Sequence, residues 1–261
     1  MTFSIDRVYR RLKRIIRRRR RRMRRAKGRG HVIVHREAGL IFHPIPKNAC
    51  STVKHLLFEM EFGRPFDCDR DGTGQIGQIH QYYKARKDAR AELEGSKELS
   101  GMFRFAIVRD PVKRLISCYR QKVVDEGTLR TSEQALRTMH LSTDPDLDFF
   151  VLNLENYRKG NRNIRDHTLP QAACLGGSLD FFDRLYPIEA FAAVFEMLRE
   201  FSPGLKMRRM NTSVAAVGLG DLSEPALKAA IEFYADDYGL LSEFYSPGNI
   251  RDEWMRAREG K

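Results

Sequence analysis

The run HPIPKNACSTVKHLL, residues 43–57, places one lysine before five compact residues, where an apolar stretch gives way to an amphipathic one. Those residue types suit an anion cradle. A helix N-terminus leaves four backbone N–H groups without intrahelical partners and carries about half a positive charge, so phosphate or sulfate is favoured there. The small side chains of Asn48, Ala49, Cys50, Ser51 and Thr52 let an anion approach the amides, Ser51 and Thr52 add hydroxyl donors, and Lys47 supplies a movable charge. The order differs from a Walker A loop, in which glycines precede a lysine at the helix start. Taken alone, this corner also reads as an ordinary strand-to-helix turn.

A second corner of the same kind follows MFRFAIV, the most apolar strand candidate in the chain. Arg109 stands at its end, where a guanidinium can fork onto a phosphate. Asp110 suits an N-cap and Pro111 the first helical position. Ser117 comes seven residues after the cap, close to two helical turns, and so returns to the same side of the helix. Two anion sites at the carboxyl ends of two strands call for a ligand charged at both ends, such as a nucleotide with separated phosphates.

The elements that must hold these corners follow from periodicity. HVIVH and GLIFHPI read as short strands joined at Arg36–Gly39, a hairpin leading into a sheet. Val53, Leu56, Leu57 and Met60 fall on one helical face, as do Leu115, Ile116, Tyr119 and Val123. Residues 61–100 are polar and Gly-rich, then charged and helix-prone. GTGQIG at Gly72–Gly77 matches GxGxxG, but no buried strand precedes it and no clear helix follows, so it reads as a mobile loop beside the substrate. At 261 residues, a single α/β domain is the default.

The net charge of +13 is local: residues 1–30 hold fifteen Lys/Arg against one Asp, leaving 32 basic and 33 acidic residues in the rest. The arm reads either as a solvated tail or as a thin basic amphipathic helix, with Val8, Leu12, Ile15 and Ile16 as its stripe. In the second case it would dock on anionic lipid or an acidic glycan, ahead of nucleic acid. Cys50, Cys68, Cys118 and Cys174 have no metal-ligand spacing. No stretch is apolar enough to span a bilayer, and the arm lacks a secretory apolar run. A reduced, cytoplasmic protein is expected, with peripheral attachment at the inner membrane face as an option left open. Cys50 and Cys118 read as packing residues rather than nucleophiles.

The motifs carry a resemblance. IPKNACSTVKHLL resembles the 5′-phosphosulfate loop, and FRFAIVRDPVKRLISCYRQKV the 3′-phosphate strand-loop-helix, of sulfotransferases that use 3′-phosphoadenosine 5′-phosphosulfate (PAPS). The carbohydrate sulfotransferases of the HNK-1, chondroitin and dermatan type are the nearest in pattern, the heparan 2-O-sulfotransferases more distant. RDHTLPQAAC resembles their His-x-x-Pro-Gln and Cys segment, and NTS followed by YADDYGLLSEFY their C-terminal stretch. Cys174 matches a position that the secreted relatives use in a disulfide, but no partner for it is evident. Those relatives are usually Golgi proteins with a membrane anchor, where this chain carries the arginine arm.

The resemblance implies an α/β fold: a single P-loop-like domain over residues 31–261, with a central, mainly parallel sheet flanked by helices, after a basic arm over 1–30. It implies in-line transfer of a sulfuryl group from PAPS to a carbohydrate hydroxyl, with no metal. Lys47 would bridge toward the leaving oxygen, Asn48, Ala49, Cys50, Ser51 and Thr52 would hold the phosphosulfate, and Arg109 with Ser117 the 3′-phosphate. The acceptor hydroxyl needs a base. His80, in GQIHQYY, resembles in position a histidine of the relatives; His167 is its rival, and Glu59 and Glu61 stay open. A polyanion- or membrane-binding module built on a degenerate nucleotide fold is the alternative from another class.

Overall fold

The computed structural model describes residues 32–71, 78–85, 98–177, 179–207 and 217–259. The arginine-rich arm, the GTGQIG run, the charged stretch 86–97 and the NTS tripeptide lie outside the described residues, so the expectations about them are not addressed by the structure.

The two β-rich runs form the expected hairpin. Strands β1 (Ile33–His35) and β2 (Leu40–His43) pair antiparallel with Ile33 opposite Phe42, and Gly39 takes the left-handed φ of 61° in the turn. Strand β3 (Phe103–Val108) pairs parallel to β2, with Leu40 opposite Phe103 and His43 opposite Ala106. Strand β4 (Arg184–Pro187) pairs parallel to β3, and the sheet order is β1-β2-β3-β4. Because β2 and β3 are parallel neighbours, their carboxyl ends open on the same edge of the sheet.

The helices that position the site are α1 (Cys50–Phe62), α2 (Gln78–Ala85), α3 (Pro111–Cys118), α4 (Arg162–His167), α5 (Gln171–Leu175), α6 (Phe191–Phe201), α7 (Glu224–Phe233) and α8 (Ala235–Leu240). Successive strand side chains point to opposite faces, and here both faces are covered. Leu40, Phe42, Phe105 and Ile107 pack with Val53, Leu56 and Leu57 of α1, Ile79 of α2, and Val194 and Leu198 of α6. Ala106 and Val108 pack on the other side with Cys174 and Leu175 of α5 and with Leu241. The α3 stripe works as its periodicity predicts: Leu115, Ile116, Tyr119 and Val123 enter a third, helical core with Phe150, Tyr157, Ile164 and Leu227. At roughly 1.5–3 kcal/mol for each large side chain removed from water, these three layers are what fixes the two corners in place.

One expectation is corrected. A helix does begin directly after the Gly-rich run: α2 starts at Gln78 and carries His80. The run is preceded by a one-turn helix, Cys68–Asp71, with no buried residue, so the strand that a dinucleotide fingerprint requires is absent there. Among the described residues, no helix is long and apolar enough to cross a membrane.

Candidate active site

The first corner runs from β2 into α1 through Pro44–Ala49. Lys47 and Ala49 both adopt left-handed backbone, with φ of 70° and 55°, whereas Asn48 between them does not. Residues of opposite φ sign in succession turn their amides toward one side, the geometry of an anion-binding nest. Ala49 occupies the N-cap position and gives α1 no side-chain cap. The first helical bond is Val53 N–H to the Ala49 carbonyl, so Cys50, Ser51 and Thr52 carry first-turn amides. Asn48 also makes tertiary contacts through its side chain. It is fully buried, and its Nδ2 donates to the Ile107 carbonyl at 2.9 Å and to Gln171 Oε1 at 2.6 Å. Its side chain braces the loop from beneath.

Lys47 reaches across to α3's continuation. Past Cys118 that helix widens into a π-type turn, Tyr119–Asp125, with Glu126 N–H donating to Gln121 O at 2.9 Å. The wider turn brings Gln121 Oε1 into hydrogen-bond contact with Lys47 Nζ. Gln121 Nε2 in turn donates to Glu126 at 2.9 Å, and Lys122 pairs with the same carboxylate at 2.7 Å. Burial lowers the Lys47 pKa from 10.5 to about 8, with the nearby Lys122 and Arg109 charges adding to the effect.

The second corner solves its helix end differently. Asp110 Oδ1 accepts from Val112 N and Lys113 N, both at 3.0 Å, and Pro111 sits in the first turn as expected. Arg109 reaches back to the first corner, Nη1 donating to the Lys47 carbonyl at 3.3 Å. Burial holds the Arg109 pKa below the ordinary value, partly offset by Glu189. Ser117 is half-buried on α3, and Cys118 beside it is fully buried in the core, where burial raises its thiol to about 11. Cys50 is half-buried at the head of α1, and all four cysteines are free.

Residues distant in sequence tie the two corners together. The Gln171 carboxamide pairs with both backbone groups of Arg109: Oε1 accepts from the amide at 3.1 Å and Nε2 donates to the carbonyl at 2.8 Å. It also accepts from Asn48, so one side chain registers both loops. The N-cap of α5 is Pro170, which has no capping side chain. Asp237 of α8 supplies the cap from afar, accepting from Gln171 N at 2.9 Å and Ala172 N at 2.7 Å. The Tyr238 hydroxyl donates to Asp110 Oδ2 at 3.1 Å. The Pro-Gln segment and the YADDYG stretch therefore buttress the corners. Arg114, fully buried, adds a further tie through Pro46 O at 3.0 Å and His167 O at 3.2 Å. Gln121, Arg114 and Lys54 carry no signal in the sequence beyond their type.

Both candidate histidines line one cleft of about 670 Å³, together with Gln81, Lys84, Thr131 and Asn163 among others. His80 Nε2 lies 2.8 Å from Ser51 Oγ, and Nδ1 lies 2.8 Å from Lys54 Nζ. His167 Nδ1 lies 2.8 Å from the Asn163 carbonyl, which can only accept, so Nδ1 carries the proton and Nε2 is left as the basic nitrogen. Burial lowers the His167 pKa from 6.5 to about 4, with Lys122, Lys47 and Arg114 adding to it, so the ring is neutral at pH 7. Glu59 and Glu61 sit half-buried on the later turns of α1 and do not line this cleft.

The sulfotransferase family model matches residues 30–183, a span that holds both corners, His80, His167 and Gln171. The chain belongs to the sulfotransferase family. Its α/β fold, with a mainly parallel sheet covered by helices, is that of a sulfotransferase. The matched span ends before α8, so the Asp237 and Tyr238 buttresses lie beyond it. No curated protein and no solved structure matches the sulfotransferase chain at a significant level.

Proposed function

We propose that this sulfotransferase moves a sulfuryl group from PAPS to a hydroxyl of a carbohydrate acceptor, and that residues 31–261 form the transferring unit. The observation that carries the reading is the contact between the corners. Arg109 Nη1 donates to the carbonyl of Lys47, which brings the two corners, 62 residues apart in sequence, into contact and supports a single donor served by both. The residues fit a donor with two anionic ends. Lys47 is a largely desolvated cation whose hydrogen-bond partner is a neutral amide, and among the described residues no carboxylate forms an ion pair with it.

PAPS, when bound, supplies an activated sulfuryl group whose sulfur–oxygen bond to the 5′-phosphate breaks as the acceptor oxygen bonds to sulfur. Lys47 and the first-turn amides of α1 neutralise charge on the departing phosphate, and Arg109 with Ser117 holds the far phosphate. Removing one such preplaced donor typically costs about 10²- to 10³-fold in rate. Proton accounting separates the two histidines. An ammonium only donates, so while Lys54 is charged His80 Nδ1 is taken and its Nε2–H faces Ser51. His167 keeps Nε2 open toward the cleft it shares with His80, so we assign it as the base that takes the acceptor proton. A bound anion would offset the three cations that depress its pKa and so strengthen the base.

The carbohydrate reading rests on the family pattern and on the cleft's lining, where the carboxamides of Gln81 and Asn163 and the hydroxyl of Thr131 match a polyhydroxylated surface. The basic arm, on this reading, adds contact with an anionic membrane or glycan and takes no part in the chemistry. The test is transfer of labelled sulfate from PAPS to a panel of sugars, proteins and small alcohols, read by mass spectrometry. Transfer to a sugar is expected, lost about 10²- to 10³-fold in Lys47→Ala and about 10²- to 10⁴-fold in His167→Ala. Unchanged turnover in Lys47→Ala would end the proposal. Loss of all activity on deleting residues 1–28 would favour a binding module instead.

A further inference from the structure

Lys54 stands out because it is a cation in an apolar layer. It is 2% exposed on α1, beside Val53 and one turn after Ser51, and burial lowers its pKa. No carboxylate forms an ion pair with it among the described residues. An ammonium buried without a carboxylate is costly relative to a well-packed apolar chain, so its retention calls for a reason. Its one described hydrogen bond is to His80 Nδ1, at 2.8 Å, and the opposite nitrogen of that ring lies 2.8 Å from Ser51 Oγ.

Among the described contacts, the lysine sets the direction of the protons in this chain. The ammonium has no lone pair, so Nδ1 must accept; a neutral imidazole then carries its hydrogen on Nε2 and donates it to Ser51 Oγ. With one lone pair of that oxygen engaged, the Ser51 proton is directed away from His80. Ser51 belongs to the first turn of α1, where the free amides gather. Were Lys54 replaced by an apolar chain, Nδ1–H and Nε2–H rings would both be allowed. In the Nδ1–H form Ser51 would donate to the ring and be lost as a donor to an anion.

We propose that Lys54 is a positioning residue, whose buried ammonium holds His80 in the Nε2–H tautomer and thereby aims the Ser51 hydroxyl proton into the anion cradle. The proposal rests on the donor-binding reading above, but its first readout does not.

The test uses the full-length chain with ¹⁵N-labelled histidine, so that long-range ¹H–¹⁵N spectra report which His80 nitrogen is protonated at pH 7.5. The wild type is expected to show Nε2–H alone, Lys54→Met a mixture or the Nδ1–H form, and Ser51→Ala still Nε2–H. Lys54→Gln, whose amide can still donate, should restore the wild-type signal in part. Binding of adenosine 3′,5′-bisphosphate by calorimetry gives the second readout. Lys54→Met and Ser51→Ala should each weaken it by about tenfold, and the double variant by no more than either alone. An Nδ1–H ring in the wild type overturns the proposal without recourse to any variant. So does a Lys54→Met protein with an unchanged tautomer, or additive losses in the double variant. If the wild type shows the Nε2–H ring yet binds no bisphosphate, the donor reading fails and the aim of Ser51 at that anion fails with it, while the Lys54–His80 tautomer lock stands.

Discussion

The β2–α1 and β3–α3 corners share a strand, a tight loop and a helix N-terminus, yet they treat that N-terminus in opposite ways. At the second, Asp110 fills the helix end with a carboxylate of the chain itself, satisfying two first-turn amides and held in turn by Tyr238. At the first, Ala49 has no side chain to offer, and the loop spends two left-handed residues, Lys47 and Ala49, on presenting the amides instead. One corner is closed by an internal anion, and the other, on the reading proposed above, is left for an external one. An anion at the second corner must therefore be gripped by side chains, Arg109 foremost, whereas at the first the backbone can do much of the binding. A repeated motif in sequence does not imply a repeated binding mode.

Moving the second solution into the first corner gives the largest expected effect. Ala49→Asp would place a carboxylate where the donor's charge must lie, and like charges at such range cost several kcal/mol. Calorimetry with adenosine 3′,5′-bisphosphate should show about a hundredfold loss or more, with the melting temperature little changed. Opening the second corner tests the converse. Asp110→Ala leaves two amides and the Tyr238 hydroxyl without partners and should destabilise the protein by about 1–2 kcal/mol in urea titrations, with Asp110→Ser recovering part of it.

The Lys47 pKa sharpens the contrast between a titratable grip and a permanent one. Below its value of about 8 the ammonium is charged already, so bisphosphate affinity should be flat; above it, binding must take up a proton and affinity should fall, by up to about tenfold per pH unit. Lys47→Arg should remove that slope, and calorimetry in buffers of different ionisation enthalpy should lose the proton uptake. The same lowering means that the unfolded chain holds this proton longer than the folded one. Stability from Lys47 should therefore rise with pH between about 8 and 10.5. The smallest effect belongs to the backbone: Ala49→Gly relieves a left-handed alanine at φ 55° and should stabilise by roughly 0.5–1 kcal/mol, read as a small rise in denaturation midpoint.

Local chemistry made part of the site legible. Asp110 and Pro111 announce a helix start because capping is decided within four residues, and the α3 stripe is visible because helical spacing repeats within two turns. The uncapped strand-to-helix corner at Lys47–Thr52 could be located for the same reason: its geometry is that of one turn. His80 was harder to place. Its helix is only eight residues long, lies between stretches of weak pattern, and owes its position to packing on α1. Position along the chain alone offers His80 and His167 as rival bases. The partners that separate the two, Lys54 for one and the Asn163 carbonyl for the other, are hydrogen-bond contacts seen only when the chain is folded.

By itself, the sequence determined the β1–β2 hairpin, the strand β3, the helices α1 and α3 that follow the two corners, the cap at Asp110 and the family of the chain, since all of these are written in short-range spacing. Tertiary structure alone decided that the Asn48 side chain bonds to Ile107 and Gln171, that Gln171 registers both loops, that Asp237 caps a helix 66 residues away, and that His167 Nδ1 faces the Asn163 carbonyl. The reason is that a side-chain amide, carboxylate or imidazole has the same identity in either role, and only the partner that packing brings within about 3 Å fixes which of its protons and lone pairs are already committed.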